Sequence, residues 1–130
     1  MDPTAHELAR AFVDAIVAKD REGLTSVLDP QVDFRGLTPS YEWRGTTPDE
    51  VAEIVFGSWF EPTDHVRRVE SVEVEPLADR YHLHYRFRVE NGEGMHVVEQ
   101  HSFLDAEDGH ITRMSMMCSG FRPLEDEPAS

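Results

Sequence analysis

The chain has 130 residues, a length typical of one domain. Its 12 Lys and Arg against 26 Asp and Glu give a formal net charge of −14, which argues against binding to nucleic acid or to anionic membranes, because both need a basic face. The single cysteine, Cys118, excludes an internal disulfide and a cysteine-rich zinc site. No signal-peptide pattern and no membrane-spanning run is visible, so we expect a cytoplasmic protein.

The first 60 residues predict three helices. Thr4, followed three residues later by a glutamate, has the spacing of a capping box, and Phe12 and Ile16 belong to an apolar face that recurs at helical spacing. Asp20 is suited to cap a second, shorter helix. Thr47, followed by proline and two acids, opens a third.

From residue 65 the hydrophobic period changes from that of a helix to two, which predicts strands. A short strand at 32–35 and a loop at 36–45 precede them. The four strands are expected at about 65–76, 80–91, 94–105 and 110–120. Turn signals between them indicate an antiparallel arrangement.

This order predicts an α+β fold in which three N-terminal helices pack on a curved, mainly antiparallel sheet and form a cone-shaped barrel with a cavity. We expect one domain over residues 1–122 and a flexible acidic tail at 123–130.

Several segments carry a resemblance to a known superfamily. They are Phe12-Val-Asp-Ala-Ile-Val-Ala-Lys-Asp20, Leu24-Thr-Ser-Val-Leu28, Val32-Asp-Phe-Arg-Gly36, Gly45 and the closing hairpin at 103–114. The pattern resembles the nuclear transport factor 2-like superfamily, which includes SnoaL-like polyketide cyclases, ketosteroid isomerases, limonene-epoxide hydrolases and scytalone dehydratases. The resemblance implies a pocket for a small hydrophobic ligand, a homodimer through the sheet and no bound metal. It does not set the chemistry, because the same fold hosts isomerases, hydrolases, lyases and non-catalytic binders.

The ketosteroid isomerase branch matches poorly at its functional positions. Phe12 stands where that branch has a donor tyrosine on the first helix, and Gly36 stands where it has the general-base aspartate. His101 stands where it has a protonated aspartate. Steroid isomerisation is therefore not expected.

The strand at 94–105 supplies the main candidate catalytic pair. One of its faces carries Met95, Val97, Glu99, His101 and Phe103. If this face lines the cone, Glu99 and His101 are neighbours in an apolar pocket and form a general acid–base pair. A hydrogen-bonded core pair, or the opposite register with both residues in solvent, are the structural alternatives.

The preceding strand carries a second candidate donor and a histidine pair. Tyr85 is placed to donate its hydroxyl to a bound carbonyl, or to satisfy it against the backbone. His82 and His84 have the spacing of metal ligands on a strand, but Arg86 and Arg88 share their face. We therefore expect a solvated or dimer-interface surface there, with no metal and no cofactor.

Together these features predict a small-molecule-binding protein that performs cofactor-free isomerisation, cyclisation or dehydration of a hydrophobic, carbonyl-bearing metabolite. The alternative is a non-catalytic ligand-binding or dimerisation module of the same fold. The expected catalytic residues are His101, Glu99 and Tyr85. The expected substrate-binding residues, which are equally suited to cover the core, are Phe12, Ile16, Phe34, Trp43, Phe56, Trp59, Phe87, Met114 and Met116.

Overall fold

A computed structural model describes residues 4–39 and 41–124 of the protein. The helices are α1 (Ala5–Ala18), α2 (Arg21–Ser26) and α3 (Pro48–Ala52), the last continued by a π-helical segment at Glu53–Trp59. The strands are β1 (Leu28–Thr38), β2 (Tyr41–Gly45), β3 (His65–Leu77), β4 (Arg80–Asn91), β5 (Gly94–Glu107), β6 (His110–Cys118) and β7 (Arg122–Pro123).

The three predicted helix starts are confirmed by their capping hydrogen bonds. The side chain of Thr4 accepts from the backbone N–H of Glu7, and the Glu7 carboxylate accepts from the Thr4 N–H, as a capping box requires. Asp20 caps α2 by accepting from Gly23, and the Thr47 side chain caps α3. β1 and β2 lie between α2 and α3, where we predicted a short strand and a loop.

The sheet has the strand order β2-β1-β6-β5-β4-β3, with β7 paired to β5. Its neighbouring strands run antiparallel except β1 and β6, which are parallel. The four predicted strands from residue 65 onward are confirmed to within a few residues. Pro123, predicted in the tail, pairs with His96 of β5, and residues 125–130 of that tail lie outside the described residues.

The prediction of a short strand at 32–35 and a loop at 36–45 is wrong about the extent of strand structure there. β1 covers 11 residues, and with β2 it forms a hairpin that pairs Phe34 with Gly45 and Thr38 with Tyr41. β1 also pairs along its other edge with β6, which follows it by some 70 residues of chain. Pairing on both edges is what holds this glycine-containing stretch in an extended conformation, and its local sequence carries no sign of those partners.

The helices cover one face of the sheet, which we call the inner face. α1 contacts β3, β4 and β6, and α3 contacts β1 and β2. On β4 the inner face consists of buried Leu83, Tyr85, Phe87 and Val89, whereas the alternating residues from His82 to Arg88 lie on the opposite, outer face and are partly exposed. In the described part of the chain, no helix is long and apolar enough to span a membrane.

Candidate functional site

The structure places Glu99 and His101 on the outer face, which is the alternative register considered above. Their side chains are 33% and 45% exposed, whereas Gln100 and Ser102 between and beside them are fully buried. The two-residue turn at 92–93 pairs Asn91 with Gly94 and so opposes His101 to His84, a residue that already faces outward. Directly opposed residues share a face in an antiparallel pair. A catalytic role for Glu99 and His101 stays a prediction, in a setting open to solvent.

A different polar group lies inside, at the middle of the inner face. It comprises Tyr85 on β4, Gln100 and Ser102 on β5, and Trp59 at the end of the π-helical segment, all of them buried. The Tyr85 hydroxyl donates to the Gln100 side-chain carbonyl and lies 3.8 Å from the sulfur of Met116. We call these four residues the inner polar cluster.

Burial sets the protonation state of this cluster. It raises the pKa of Tyr85 well above its usual value, and it also raises the pKa of the Cys118 thiol on the neighbouring strand. Both groups are therefore neutral near pH 7. Tyr85 acts as a hydrogen-bond donor rather than a base, and Cys118 is not activated as a nucleophile.

Three polar groups of the inner polar cluster lack a partner. Among residues 4–39 and 41–124, no oxygen or nitrogen accepts from Trp59 Nε1 or Gln100 Nε2, and none pairs with Ser102 Oγ; the Gln100 amide has only the Cys118 sulfur beside it. A buried donor left without an acceptor costs about 1–3 kcal/mol, so such groups in a folded protein call for an explanation. Buried donors in an apolar interior are suited to hold the oxygen of a molecule that binds beside them.

A cleft of about 540 Å³ lies at one end of the inner face, and Trp59 forms part of its wall. Its lining includes buried His96 and buried Asp64 together with Phe121. Asp64 is held by the Asn91 amide at 2.8 Å and by the backbone N–H of Glu61 at 2.9 Å. The cleft thus has both an imidazole and a carboxylate in its wall.

The predicted substrate-binding residues are brought together, but as members of the core. Trp59 packs on Phe34 and Trp43, with ring centroids 6.0 and 6.4 Å apart, and Phe87 packs on Tyr85 at 4.8 Å. A substrate-binding role for these residues stays a prediction. Buried in the core are Phe12, Ile16, Phe34, Trp59, Phe87, Met114 and Met116, with Trp43 and Phe56 partly buried against it.

Sequence reasoning missed Gln100, Ser102 and His96 as candidates. A signal for them was present, because the Asn-Gly-Glu-Gly turn fixes the pairing of β4 with β5. Tyr85 lies on the inner face of β4, and this turn places Gln100 of β5 directly opposite Tyr85.

The outer face carries a second polar group, which we call the outer histidine cluster: His82, His84, Glu99 and His101. The His84 Nε2 lies 2.6 Å from Glu99 Oε2, and His101 Nε2 lies 3.7 Å from the same oxygen. The hydrogen bond from His84 lowers the pKa of Glu99, and partial burial together with the neighbouring His84 and His82 lowers the pKa of His101. Glu99 is therefore ionised and His101 neutral near pH 7.

Comparison with known proteins identifies the family of this chain. The SnoaL-like domain family matches residues 9–114, and the chain belongs to this family. No curated protein matches the sequence. The fold is similar to that of a candidate isomerase from Bacillus subtilis, at 16% identity and a TM-score of 0.75 over 88% of this chain and 86% of that one.

Two further solved structures share the fold. A candidate polyketide cyclase from Pseudomonas putida is 18% identical, with a TM-score of 0.68 over 88% of this chain and 90% of that one. A ketosteroid isomerase-like protein from Catenulispora acidiphila, solved in complex with trimethylamine, is 12% identical, with a TM-score of 0.66 over 89% and 88%. At these identities the likeness concerns the fold alone.

Proposed function

We propose that this SnoaL-like protein binds a hydrophobic small molecule bearing a carbonyl group inside the fold, with the carbonyl oxygen held by the inner polar cluster. The observation that carries the proposal is the set of unpartnered groups on Trp59, Gln100 and Ser102, placed beside the neutral hydroxyl of Tyr85. Family membership supports it, because a neighbour of the same fold has been solved with a small ligand.

The chemistry of the lining selects this ligand class. The Trp59 indole and the Gln100 amide nitrogen only donate hydrogen bonds, so they favour a ligand acceptor over a ligand donor. The surrounding core is apolar and rich in aromatic and methionine side chains, which favours a ring system over a charged metabolite. Leaving a buried donor unpaired is costly, so a ligand lacking the oxygen is disfavoured.

The test compares two ligands that differ only in the carbonyl. We expect the tryptophan fluorescence of the wild-type protein to report binding of 9-fluorenone about tenfold tighter than fluorene, since one to two well-made hydrogen bonds contribute about 1.4 kcal/mol. Gln100→Leu and Ser102→Ala are expected to reduce this preference. Tyr85→Phe is expected to reduce it too, and Tyr81→Phe, at a partly exposed tyrosine near the start of β4, is its matched control. Equal affinity for the two ligands, or a preference that survives Gln100→Leu, refutes the proposal.

A catalytic version of this function places proton transfer at the cleft. Of the carboxylates and imidazoles in the described residues, those that are buried are Asp64 and His96, and both line the cleft rather than the inner polar cluster. We propose His96 as the proton-transfer group for isomerase, cyclase or dehydratase chemistry. His96→Ala should abolish turnover of a true substrate while His110→Ala, at the start of β6, leaves it intact. Turnover that survives His96→Ala returns the protein to a binding role.

We also propose a homodimer through the outer face. Leu37, Phe103 and Met117 are exposed there by 48%, 40% and 60%, and they lie on adjoining strands around a groove of about 330 Å³. Arg35 and Glu42 line the same groove, a mixture of signs that suits a second copy related by a two-fold axis. Light scattering of the wild-type protein is expected to give twice the mass of one chain, and the Met117→Glu variant is expected to give the mass of one chain. A wild-type monomer at all protein concentrations refutes this assembly.

A further inference from the structure

The outer histidine cluster has the composition and geometry of a metal site. His84 and His101 stand opposite each other on β4 and β5, and Glu99 lies two residues from His101 on the same face. One ligand atom from each of the three lies within 4.8 Å of the other two. Two imidazoles and one carboxylate form a ligand set that zinc sites use when they keep a further position open. We propose that His84, His101 and Glu99 bind a divalent transition-metal ion, of which Zn²⁺ is the type.

The three ligand atoms lie close together, although the stacked rings of His84 and His101, with centroids 4.1 Å apart, must turn toward each other to face one ion. Both imidazole Nε2 atoms approach the same carboxylate oxygen, Glu99 Oε2, at 2.6 Å from His84 and 3.7 Å from His101. Zinc–nitrogen and zinc–oxygen bonds of about 2.0–2.1 Å place tetrahedral ligand atoms about 3.3 Å apart. The two observed separations bracket that value, so an ion enters with small rotations of side chains that are partly exposed.

His101 is also held through its other ring nitrogen, and a carboxylate lies near that of His84. His101 Nδ1 lies 3.0 Å from His82 Nε2, and with His101 as the donor its Nε2 lone pair is free for the ion. His84 Nδ1 faces Glu73 Oε1 at 3.9 Å, so the ring proton displaced from His84 Nε2 has an acceptor on that side. Such partners fix the tautomer and orientation of metal-binding histidines, and losing one typically weakens binding 10- to 100-fold.

The carboxylate is oriented in the same way. Arg86 contacts Glu99 Oε1 at 3.3 Å and Glu70 Oε1 at 2.8 Å, which leaves Glu99 Oε2 turned toward the two histidines. Glu70 accepts from both Arg86 and Arg88, so the guanidinium charges nearest the site are already neutralised in part. The arginines on this face therefore repel a bound cation less strongly than unpaired arginines would. The fourth position lies on the outer side of the sheet, since His101 is 45% exposed in the single chain. His101 also lines the groove of the proposed homodimer, so in that dimer the ion would lie beside the interface.

The proposal is tested by adding Zn²⁺ alone to purified, metal-stripped protein and measuring affinity by competition with a chromogenic chelator. We expect one ion per chain, and a loss of at least about 100-fold in affinity for His84→Ala, His101→Ala and Glu99→Gln. His82→Ala, which removes a positioning residue, should weaken binding by about 10- to 100-fold. His110→Ala, outside the cluster, is the matched control and should bind as the wild type does.

Substitution by Co²⁺ gives an independent readout, because its visible absorption is intense in a tetrahedral site and weak in an octahedral one. An intense spectrum that is lost in His101→Asn supports the site, and this surface variant leaves the core untouched. A stoichiometry other than one per chain, wild-type affinity in both His84→Ala and His101→Asn, or an equal loss in His110→Ala overturns the proposal. The measurements need no knowledge of the interior ligand.

Discussion

The hydrogen bond between Tyr85 and Gln100 allows a sharp test of the inner polar cluster through stability. Tyr85→Phe removes the donor and leaves a fully buried carbonyl oxygen on Gln100 without a partner, for which we expect a loss of about 1–3 kcal/mol. Gln100→Leu leaves the Tyr85 hydroxyl with only the Met116 sulfur at 3.8 Å, but it also removes the unpaired amide nitrogen. We expect that change to cost less than Tyr85→Phe.

The double variant separates this reasoning from a simple sum. Replacing both partners by apolar groups of similar shape leaves neither partner's polar atom unpaired, so the stability of the double variant should lie within about 1 kcal/mol of the wild type or exceed it. The corresponding coupling is about 2 kcal/mol, measured by urea unfolding with an unchanged slope. In a thermal scan 1 kcal/mol corresponds to about 3–5 °C for a domain of this size. If the two single losses add in the double variant, the pair is not the isolated buried bond described here.

The remaining predictions concern packing, pH and thiol reactivity. At Gly36 a β-carbon would lie 2.7 Å from the rigid Trp59 indole, whereas at Gly92 it would meet nothing within 4 Å. In urea unfolding, Gly36→Ala should therefore lower the free energy of unfolding by about 1–3 kcal/mol, and Gly92→Ala should change it little. Partial burial raises the pKa of Glu70, but hydrogen bonds from two arginines outweigh this effect and lower the pKa overall. The resulting stabilisation is present above the ordinary glutamate range and is lost as pH falls through the lowered pKa. Glu70→Gln should therefore flatten the acid limb of stability against pH in an unfolding series. Burial raises the pKa of Cys118, so a thiol reagent should react far faster in denaturant than in the native state, and equal rates would contradict that placement.

Local chemistry explains which parts of the fold could be predicted. The helix starts at Thr4, Asp20 and Thr47 each depend on a side chain and a backbone group three residues apart, so the sequence carries their whole signal. The strands of the meander are bounded by turns of two residues and were equally predictable. β1 and β2 were not, because β1 is held extended by pairing with β6, which is far away in the chain.

For the candidate site, the point that composition could not predict is which residues of β5 face inward. Composition favoured the face of Glu99 and His101, since ionisable groups flanked by apolar residues resemble a pocket. The burial of Gln100 and Ser102 follows instead from pairing with β4, where Tyr85 is in the core. A two-residue hairpin fixes that register, and a shift by one residue would exchange the two faces completely. The pairing across the turn therefore carried more information than the composition of either face.

The alternation of side chains along β5 explains how one strand contributes to two sites. Gln100 and His101 are consecutive residues that point to opposite faces, and their partners Tyr85 and His84 are consecutive on β4. Inside, unpaired donors lower stability and are suited to a ligand; outside, paired imidazoles and a carboxylate are suited to a cation. Because the two groups share a backbone but no side-chain contact among the described residues, a substitution on one face alters the other only by moving the strand itself. The continuous pairing of β4 with β5 resists such a movement, so the interior ligand and the surface ion are expected to bind independently.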